Sequence, residues 1–354
     1  MSGARRRAPG FACDVPDSAC GAPDLACGAP ASPRLRSVLS VAGSDSSGGA
    51  GIQADIKTIE AMGLFAQTAV TALTAQNTTG VLAVAATEPD MVAAQIDAVF
   101  ADIVPDAVKI GMVPSGDAAR EIAERLRSHG ARNIVVDPVM VATSGAALAD
   151  GGSVAVEAVE LFGMATVVTP NIPEAEALLG LIGSGGGGLA NGVAKKGGPL
   201  ECGDGTGSGG LADNWGNAAG ERDVASGRNA VKITSEADAE AAARALAEHF
   251  GCAFLVKGGH GAHDANDVLA AAEGGVRWFR SERVDNPNTH GTGCTLSSAI
   301  ASNLAKGYSL SESVARAKEY ISGALSAMLD LGKGAGPMQH NFDLRGEFAK
   351  ENTK

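Results

Sequence analysis

The sequence predicts an α/β fold in which a mostly parallel central sheet is covered by helices on both faces, giving three layers. Three observations lead to this prediction. Short apolar, β-branched runs alternate along the chain with segments whose apolar residues recur at helical spacing. The helical segments are long enough to cross back over a sheet, as parallel pairing requires. The chain has 354 residues, of which 45% are hydrophobic, and this is enough to bury a large core.

The first strand and helix show the pattern. Residues 34–44 (RLRSVLSVAGS) form an apolar run, a glycine turn follows, and residues 51–63 carry apolar side chains at helical spacing, at Ile52, Ile56 and Ile59. The same alternation predicts further strands at 65–73, 107–113, 133–138, 165–171 and 253–259. It predicts further helices at 89–103, 117–130, 173–180 and 236–250, and a last one from Thr295, where Leu296, Ile300 and Leu304 form one stripe.

Two segments interrupt this alternation. Residues 1–33 include a small repeat in which Cys13, Cys20 and Cys27 lack the paired spacing of a zinc site, and we expect a disordered low-complexity tail. Residues 181–228 are rich in glycine and carry too few apolar side chains to pack, which predicts a flexible insertion. The folded domain is therefore expected to span 34–345, with a polar tail at 346–354.

Composition and charge limit the functions open to this chain. The formal net charge of -12 argues against a nucleic-acid binder, because phosphate backbones need clustered Lys and Arg side chains. Charged residues interrupt every apolar stretch, so no membrane span is predicted. The basic start, MSGARRRAPG, is not followed by the apolar region of a signal peptide, and acidic residues arrive too early for a transit peptide. We therefore expect a cytoplasmic protein.

A candidate anion-binding turn lies near the end of the chain, in the sequence NTHGTGCTLSSAI. Its glycine-flanked residues precede the predicted helix stripe, so they occupy the loop and the first helical turn: Gly291, Thr292, Gly293 and Cys294. The backbone N–H groups of such a turn have no partner inside the helix, and the helix dipole adds partial positive charge. This arrangement suits a transferring phosphate. A plain glycine turn leading into a helix is the alternative interpretation.

Seven motifs together resemble the hydroxymethylpyrimidine and phosphomethylpyrimidine kinases of thiamine biosynthesis, which belong to the ribokinase-like superfamily. In chain order they read VAGSDSSGGAGIQADIKT, TALTAQNTTGV, VKIGMV, VVDPVM, TPNIPEAEALL, VKGGH and NTHGTGCTLSSAIA. The resemblance covers about 35–337 apart from the insertion, and it implies a ribokinase-like three-layer sandwich. It also implies an ATP- and Mg²⁺-dependent kinase, expected to be a homodimer. The implied substrate is 4-amino-5-hydroxymethyl-2-methylpyrimidine and then its monophosphate.

The resemblance implies a set of substrate-binding residues. Gln76 matches the glutamine that binds the aminopyrimidine, and a side-chain amide offers the adjacent donor and acceptor that such an edge needs. Gly43 and Asp55 match positions of the same pocket, and Met112 and Val139 would contact the ring. Asp55 has an alternative interpretation as a structural carboxylate on a helix.

The nucleotide side follows from the same resemblance. Asn171 and Glu174 form the N-x-x-E pattern that organises Mg²⁺ and phosphate in this superfamily, and oxygen ligands suit Mg²⁺. The same residues also fit an ordinary helix start, with Pro173 in the first turn. Lys257 would meet phosphate oxygens, and Lys318 matches a position beside the adenine, although it could equally be a solvated helix lysine.

Cys294 stands where most sugar kinases of this superfamily have the aspartate that accepts the proton of the attacking hydroxyl. The pyrimidine kinases and some vitamin B6 kinases share the cysteine. Because a helix N-terminus favours a thiolate, we expect a lowered pKa and a base that works near neutral pH. A covalent nucleophile paired with His290 is the competing idea, but the sequence shows no supporting His–Asp pair.

Two other functions stay open at this point. A pyridoxine or pyridoxal kinase would share the cysteine-containing loop, whereas Gln76 favours an aminopyrimidine. A non-catalytic pyrimidine-binding sensor on the same fold is disfavoured, because a sensor need not keep the residues of phosphate transfer.

Overall fold

The computed structural model describes residues 34–140, 151–183, 231–258 and 264–346. Eight of its strands form one central sheet, and the other two form a separate two-stranded sheet. The strands are β1 (Ser37–Ala42), β2 (Phe65–Val70), β3 (Ala72–Asn77), β4 (Gly80–Ala86), β5 (Ala107–Ile110), β6 (Ile134–Val136), β7 (Val167–Val168), β8 (Ala253–Lys257), β9 (Asp267–Ala270) and β10 (Val276–Phe279). The helices are α1 (Gly51–Ala61), α2 (Pro89–Asp102), α3 (Gly116–Ser128), α4 (Gly151–Leu161), α5 (Ile172–Gly183), α6 (Glu236–Phe250), α7 (Thr292–Ala305) and α8 (Leu310–Ser326).

The strand order of the sheet is β10-β9-β8-β7-β6-β5-β1-β2. Pairing is parallel from β8 to β2, whereas β9 and β10 add an antiparallel edge. The predicted mostly parallel sheet is therefore confirmed. From Leu35 onward the described residues belong to one compact unit. The predicted tails at 1–33 and 346–354, apart from residue 346, and the insertion from residue 184 on lie outside the described residues.

Alternating strand side chains supply a core on each face of the sheet. In β1, Leu39 and Val41 pack into the core that α2 to α6 cover, whereas Val38 faces the core under α1, α7 and α8. Helix α7 is buried along the stripe expected from the sequence, at Leu296, Ile300 and Leu304. Both faces are covered because each parallel crossover returns a helix to the sheet.

The structure differs from the sequence prediction between residues 65 and 86. One strand was expected at 65–73, but the chain leaves the sheet at Thr71, whose Oγ1 donates to the carbonyl oxygen of Met112 at 2.7 Å. Strands β3 and β4 then pair only with each other, in an antiparallel hairpin. Many side chains of this hairpin are exposed, such as Leu82 at 77%. The hairpin is therefore not found by a search for buried strands.

Helix α8 was also missed, although its start carries a local signal. The Ser309 hydroxyl accepts from the backbone N–H of Glu312, and the Glu312 side chain accepts from the N–H of Ser309. This reciprocal pair is a capping box. Its sequence signature is S-x-x-E before an apolar pattern, which predicts the start of a helix. Helix α4 and strands β9 and β10 carried no comparable signal.

A buried ion pair joins four elements of the fold. Lys109 on β5 donates to both oxygens of Asp55 on α1, at 3.0 and 2.8 Å, and both side chains are 0% exposed. The hydroxyls of Ser40 on β1 and Ser298 on α7 also donate to Asp55, at 2.6 and 2.7 Å. The pair is therefore fully hydrogen-bonded on its carboxylate side, as burial of a charge demands.

No helix within the described parts of the chain is long and apolar enough to cross a membrane.

We predict that Asp55→Ala destabilises the protein by about 3–5 kcal/mol, because it leaves the buried Lys109 ammonium without its counter-charge. Urea unfolding followed by circular dichroism measures the change. Arg120→Gln is the matched control: it breaks an ion pair with Asp117 whose side chains are 55% and 78% exposed, and we expect a loss within about 1 kcal/mol. Equal losses in the two variants would contradict the structural role of the buried pair.

Candidate active site

The loops at the carboxyl ends of the parallel strands meet at one edge of the sheet. Lys257, at the end of β8, donates from Nζ to Oδ1 of Asp137, after β6, at 2.8 Å. Asn171, after β7, forms an isolated bridge with Lys257. A Cβ added at Gly293 would lie 3.3 Å from Oδ2 of Asp137 and 3.5 Å from Nζ of Lys257. The structure therefore brings Lys257 and Asn171 to the first turn of α7.

Glycine is required at position 291, where α7 begins. Its φ of 82° lies in the left-handed region, and an added Cβ would collide with the carbonyl oxygen of Gly49. Thr292, Gly293 and Cys294 follow in the first turn, where backbone N–H groups have no partner inside the helix. With the positive end of the helix dipole, these amides form an arrangement suited to an anion.

A buried carboxylate, Asp137, and a half-buried ammonium, Lys257, lie beside this turn. Burial raises the pKa of Asp137, but the ammonium groups of Lys257 and Lys109 outweigh it and hold the pKa below its usual value. For Lys257 the balance is reversed: burial lowers the pKa, while the carboxylates of Asp137 and Glu174 raise it above its usual value. Both groups of the pair are charged at neutral pH, so one ammonium and one carboxylate lie next to the α7 turn.

Asn171 and Glu174 form a reciprocal cap at the start of α5. The N–H of Asn171 donates to Oε2 of Glu174 at 2.8 Å, and the N–H of Glu174 donates to Oδ1 of Asn171 at 2.9 Å. The helix-start interpretation of this N-x-x-E pattern is therefore confirmed. Burial raises the pKa of Glu174 to about 7; Lys257 opposes this rise and Asp137 adds to it.

The oxygen atoms at this edge fit a cation that keeps water ligands. Asp137 and Glu174 supply hard carboxylate oxygens, the type that Mg²⁺ prefers. Within the described residues, no group of three or more His, Cys, Asp or Glu side chains is arranged as a ready-made metal site. Mg²⁺ commonly binds through one or two carboxylates together with water and phosphate, so the donor set agrees with that ion.

A third carboxyl group, Glu157 on α4, is buried near these two. It is 3% exposed, and its Oε1 has no hydrogen-bond partner among the residues that the structure describes. Burial raises its pKa well above 4.5, and the charges of Asp137 and Glu174 raise it further. Burial and the neighbouring carboxylates therefore favour the neutral form of Glu157.

Cys294 lies in the first turn of α7, and the structure overturns the expectation of a lowered pKa. Burial raises the pKa of the thiol to about 11. Lys109 opposes this rise, but Asp55 and Asp137 add to it, so the expected thiolate near neutral pH is wrong. Desolvation by the surrounding elements outweighs the favourable position at a helix N-terminus.

A cavity of about 340 Å³ opens beside this turn, lined by Gln76, Asn77, Thr78, Thr79, His290, Gly334 and Ala335. Gln76 comes from β3 of the hairpin, and its backbone is tied to Ser46: the N–H of Gln76 donates to the hydroxyl at 2.8 Å, and that hydroxyl donates to the carbonyl oxygen of Gln76 at 2.7 Å. The hairpin thus carries Gln76 to the wall of a pocket next to the α7 turn.

His290 forms a buried pair with Asp45 at the back of this pocket. The Nε2 atom of His290 lies 2.8 Å from Oδ2 of Asp45, and the side chains are 6% and 1% exposed. Burial raises the pKa of Asp45, but hydrogen bonds from His290, Ser47 and Ala50 outweigh it and hold the pKa well below its usual range. No local sequence pattern indicates this His–Asp pair. Its partners are the glycine-rich loop and Gln76, so it does not supply the pairing that a nucleophilic Cys294 would need.

The remaining predicted residues divide into two groups. Gly43 and Met112 are neighbours, because a Cβ on Gly43 would lie 3.2 Å from the Met112 sulfur, and half-buried Val139 follows Asp137 in a tight turn. Asp55 has no exposed surface to offer a substrate, which favours its interpretation as a structural carboxylate.

Lys318 lies on α8, where Nζ donates to Oδ2 of Asp267 and to the carbonyl oxygen of Ala265, each at 2.6 Å. Its side chain is 12% exposed, so it is not a solvated helix lysine. It is thereby attached to the antiparallel edge of the sheet at β9, and nothing in these contacts joins it to the pocket around Gln76.

The sequence interpretation missed Asp45, Lys109 and Asp137 as parts of this edge, and it considered His290 only as a partner for Cys294. Two of them carried a usable signal. Lys109 interrupts the apolar strand AVKI, and a lysine in a buried strand needs a buried partner. Asp137 follows the strand IVV directly, at the end where parallel strands form ligand sites.

The family model described as "Phosphomethylpyrimidine kinase" matches residues 45–185 and 224–339 of this chain. Among curated relatives, the "Hydroxymethylpyrimidine/phosphomethylpyrimidine kinase" of Rhizobium meliloti is 41% identical over 305 residues, covering 85% of this chain and 96% of the relative. The "Thiamine biosynthesis bifunctional protein ThiED" of Geobacter sulfurreducens is 42% identical over 305 residues, covering 86% of this chain. The match spans only 52% of the Geobacter protein, so about half of that relative has no counterpart in the aligned region.

Two solved structures share this architecture. The phosphomethylpyrimidine kinase of Clostridium difficile 630 has a TM-score of 0.60 at 35% identity, with 81% of this chain and 98% of that chain covered. The pyridoxal kinase of Staphylococcus aureus in complex with AMP-PCP has a TM-score of 0.68 at 26% identity, with 88% and 96% covered.

We predict that Glu157→Gln stabilises the protein at pH 8. A carboxyl whose pKa is raised in the folded state contributes stability below its unfolded pKa of 4.5 and loses that contribution as pH rises through the folded pKa. The amide keeps the shape but removes the cost of ionisation. The melting temperature should therefore exceed that of the parent at pH 8, and the difference should shrink towards pH 4.5. An unchanged difference across this range would contradict the prediction.

Proposed function

Because this chain belongs to the phosphomethylpyrimidine kinase family, we propose that it phosphorylates 4-amino-5-hydroxymethyl-2-methylpyrimidine with ATP and then phosphorylates the resulting monophosphate to the diphosphate. The observation that carries this proposal is the position of Gln76 in the wall of a pocket beside the amide-lined first turn of α7. A base-recognising amide and a phosphate-binding turn thus lie on neighbouring elements.

On the substrate side, Gln76 supplies a donor and an acceptor for the amino group and the adjacent ring nitrogen. Gly43, Met112 and Val139 supply the apolar contacts to the ring. This division leaves the hydroxymethyl group to face the α7 turn, where the phosphate arrives. Asp55 acts indirectly in this proposal, by holding α7 against β1 and β5 through Ser298.

On the nucleotide side, the backbone N–H groups of Gly291 to Cys294 bind the transferring phosphate, and Lys257 neutralises its charge. Asn171 and Glu174 organise Mg²⁺, together with the neighbouring Asp137. The bound ion would offset negative charge on the phosphates of ATP. Lys318 orders the β9 edge beside which we propose that the adenine binds.

Cys294 is proposed to accept the proton of the attacking hydroxyl. Since its pKa of about 11 leaves it protonated at neutral pH, it must first lose its own proton. The loose transition state of phosphoryl transfer makes only a modest demand on a base, so a small thiolate fraction is compatible with turnover.

A pyridoxal kinase is the second candidate, because the pyridoxal kinase of Staphylococcus aureus has the same architecture over 88% of this chain. A non-catalytic pyrimidine sensor is the third. The buried Lys257–Asp137 pair and the glycine turn of α7 argue against the sensor, since binding alone requires neither of them.

An ATP-consumption assay tests this assignment with the pyrimidine, its monophosphate and pyridoxal as substrates. We expect kcat/KM for the pyrimidine to exceed that for pyridoxal by at least about tenfold, the range of discrimination that one well-placed polar contact supplies. A preference for pyridoxal would support the second candidate, and binding without ATP consumption would support the sensor. Light scattering on the same samples tests the proposed homodimer, which requires twice the chain mass.

We predict that Cys294→Ala lowers kcat by about two orders of magnitude, as loss of a proton-transfer group does, and changes substrate affinity by no more than a few-fold. In the parent enzyme kcat should rise between pH 7 and 9 with the thiolate fraction, and the variant should lack this rise. Cys252→Ala is the matched control, since that thiol is 6% exposed in the core near α6. A variant with the kcat of the parent would rule out this role.

A further inference from the structure

The side-chain amide of Gln76 lies between two polar neighbours. The structure places Nε2 of the amide 3.3 Å from Nε2 of His290, and Oε1 3.3 Å from Oγ1 of Thr74. The oxygen and nitrogen of an amide have nearly the same size and shape, so the hydrogen bonds of the neighbours decide which end is which. Each neighbour has other partners that determine its role.

Asp45 makes His290 a donor. Its carboxylate accepts from the N–H and the hydroxyl of Ser47, at 2.9 and 2.7 Å, and from the N–H groups of Gly49 and Ala50, at 3.0 and 2.8 Å. A carboxylate with so many donors is ionised and can only accept, so the 2.8 Å contact requires the proton on Nε2 of His290. The amide end that faces His290 must therefore be the oxygen, because a nitrogen would set two N–H groups against each other.

Ser44 makes Thr74 an acceptor. The hydroxyl of Thr74 donates its one proton to the carbonyl oxygen of Ser44 at 2.8 Å, which is shorter than its contact with Gln76. Only lone pairs of Thr74 Oγ1 then remain for the amide, so the end that faces Thr74 must be the nitrogen. The two neighbours, which come from opposite ends of the chain, require the same orientation.

We propose that His290 and Thr74 hold the Gln76 amide in one fixed orientation, with its oxygen towards His290 and its nitrogen towards Thr74, and thereby select a 4-aminopyrimidine against its 4-oxo counterpart. The inference rests on the proposed function. An aminopyrimidine edge presents an acceptor ring nitrogen and a donor amino group, whereas the 4-oxo compound exchanges the two, with a donor ring N–H and an acceptor oxygen. A Gln76 amide that can rotate by half a turn and exchange its oxygen and nitrogen would bind either compound. An amide held in one orientation binds only the 4-amino compound.

The test measures the dissociation constants of 4-amino- and 4-oxo-5-hydroxymethyl-2-methylpyrimidine by calorimetry, without nucleotide, and then kcat and KM for both. His290→Gln keeps a donor for Asp45 and a side chain of similar size. The introduced amide can rotate, however, and so it no longer determines the orientation of Gln76. Thr74→Val keeps the shape and removes the acceptor. We expect the parent to prefer the amino compound by about a thousandfold or more, as sites built around buried polar groups do.

In each variant the preference should fall about tenfold or more, chiefly through a lower KM for the 4-oxo compound. His129→Gln is the control: its Nε2 lies 2.7 Å from Asp97 in a histidine–carboxylate pair at the protein surface, and the preference should not change. Thermal unfolding checks that each variant is folded. His290→Gln and Thr74→Val act on opposite ends of the Gln76 amide, so each tests the inference independently.

A preference within twofold of the parent in both folded variants would overturn the inference while leaving the kinase assignment intact. A parent that binds the amino compound selectively but does not phosphorylate it would defeat the proposed function and leave the inference testable by binding. A parent that binds the two compounds equally would overturn the inference directly, as would one that binds neither.

Discussion

The buried ion pair of Asp55 and Lys109 is the constraint on which the site depends. It draws α1, β1, β5 and α7 to one carboxylate, through Ser40 and Ser298 as well as the lysine. Ser298 follows Cys294 by one helical turn, so the bond that fixes Ser298 also fixes the direction in which the first turn of α7 points. Charges this deeply buried tolerate little displacement, because each lost bond leaves a desolvated group behind.

The same burial governs the protonation of the candidate site. The ion pairs of Asp55 with Lys109 and of Asp137 with Lys257 already balance one another, so a further negative charge among them is costly. Burial and the neighbouring carboxylates therefore raise the pKa values of Cys294 and Glu157 and favour their neutral forms. The backbone amides at the start of α7 instead carry partial positive charge, an arrangement suited to an anion.

Asp45 plays a comparable part on the substrate side. It binds the N–H groups of the glycine-rich loop before α1 and the ring of His290, which directly precedes the α7 turn. The glycine-rich loop and the α7 turn, which come from opposite ends of the chain, also meet where Gly291 packs on the carbonyl oxygen of Gly49. The pocket around Gln76 and the candidate phosphate site are thus held by the same contacts, so a displacement of one would also displace the other.

Local periodicity and turn residues were enough to predict the alternation of strands and helices, the mostly parallel sheet and the buried stripe of α7. The sequence also pointed to the family through the order of seven motifs. The hairpin β3–β4 was missed because β4 has no buried residue and β3 buries only Ala72 and Thr74, which is too little to predict a strand. Contacts between distant parts of the chain were needed to show that Asp55 is buried in an ion pair, that the Cys294 thiol has a raised pKa, and that Gln76 lies between Thr74 and His290. Burial and the charges of residues far apart in the chain set these properties, and local sequence patterns do not record which distant residues meet.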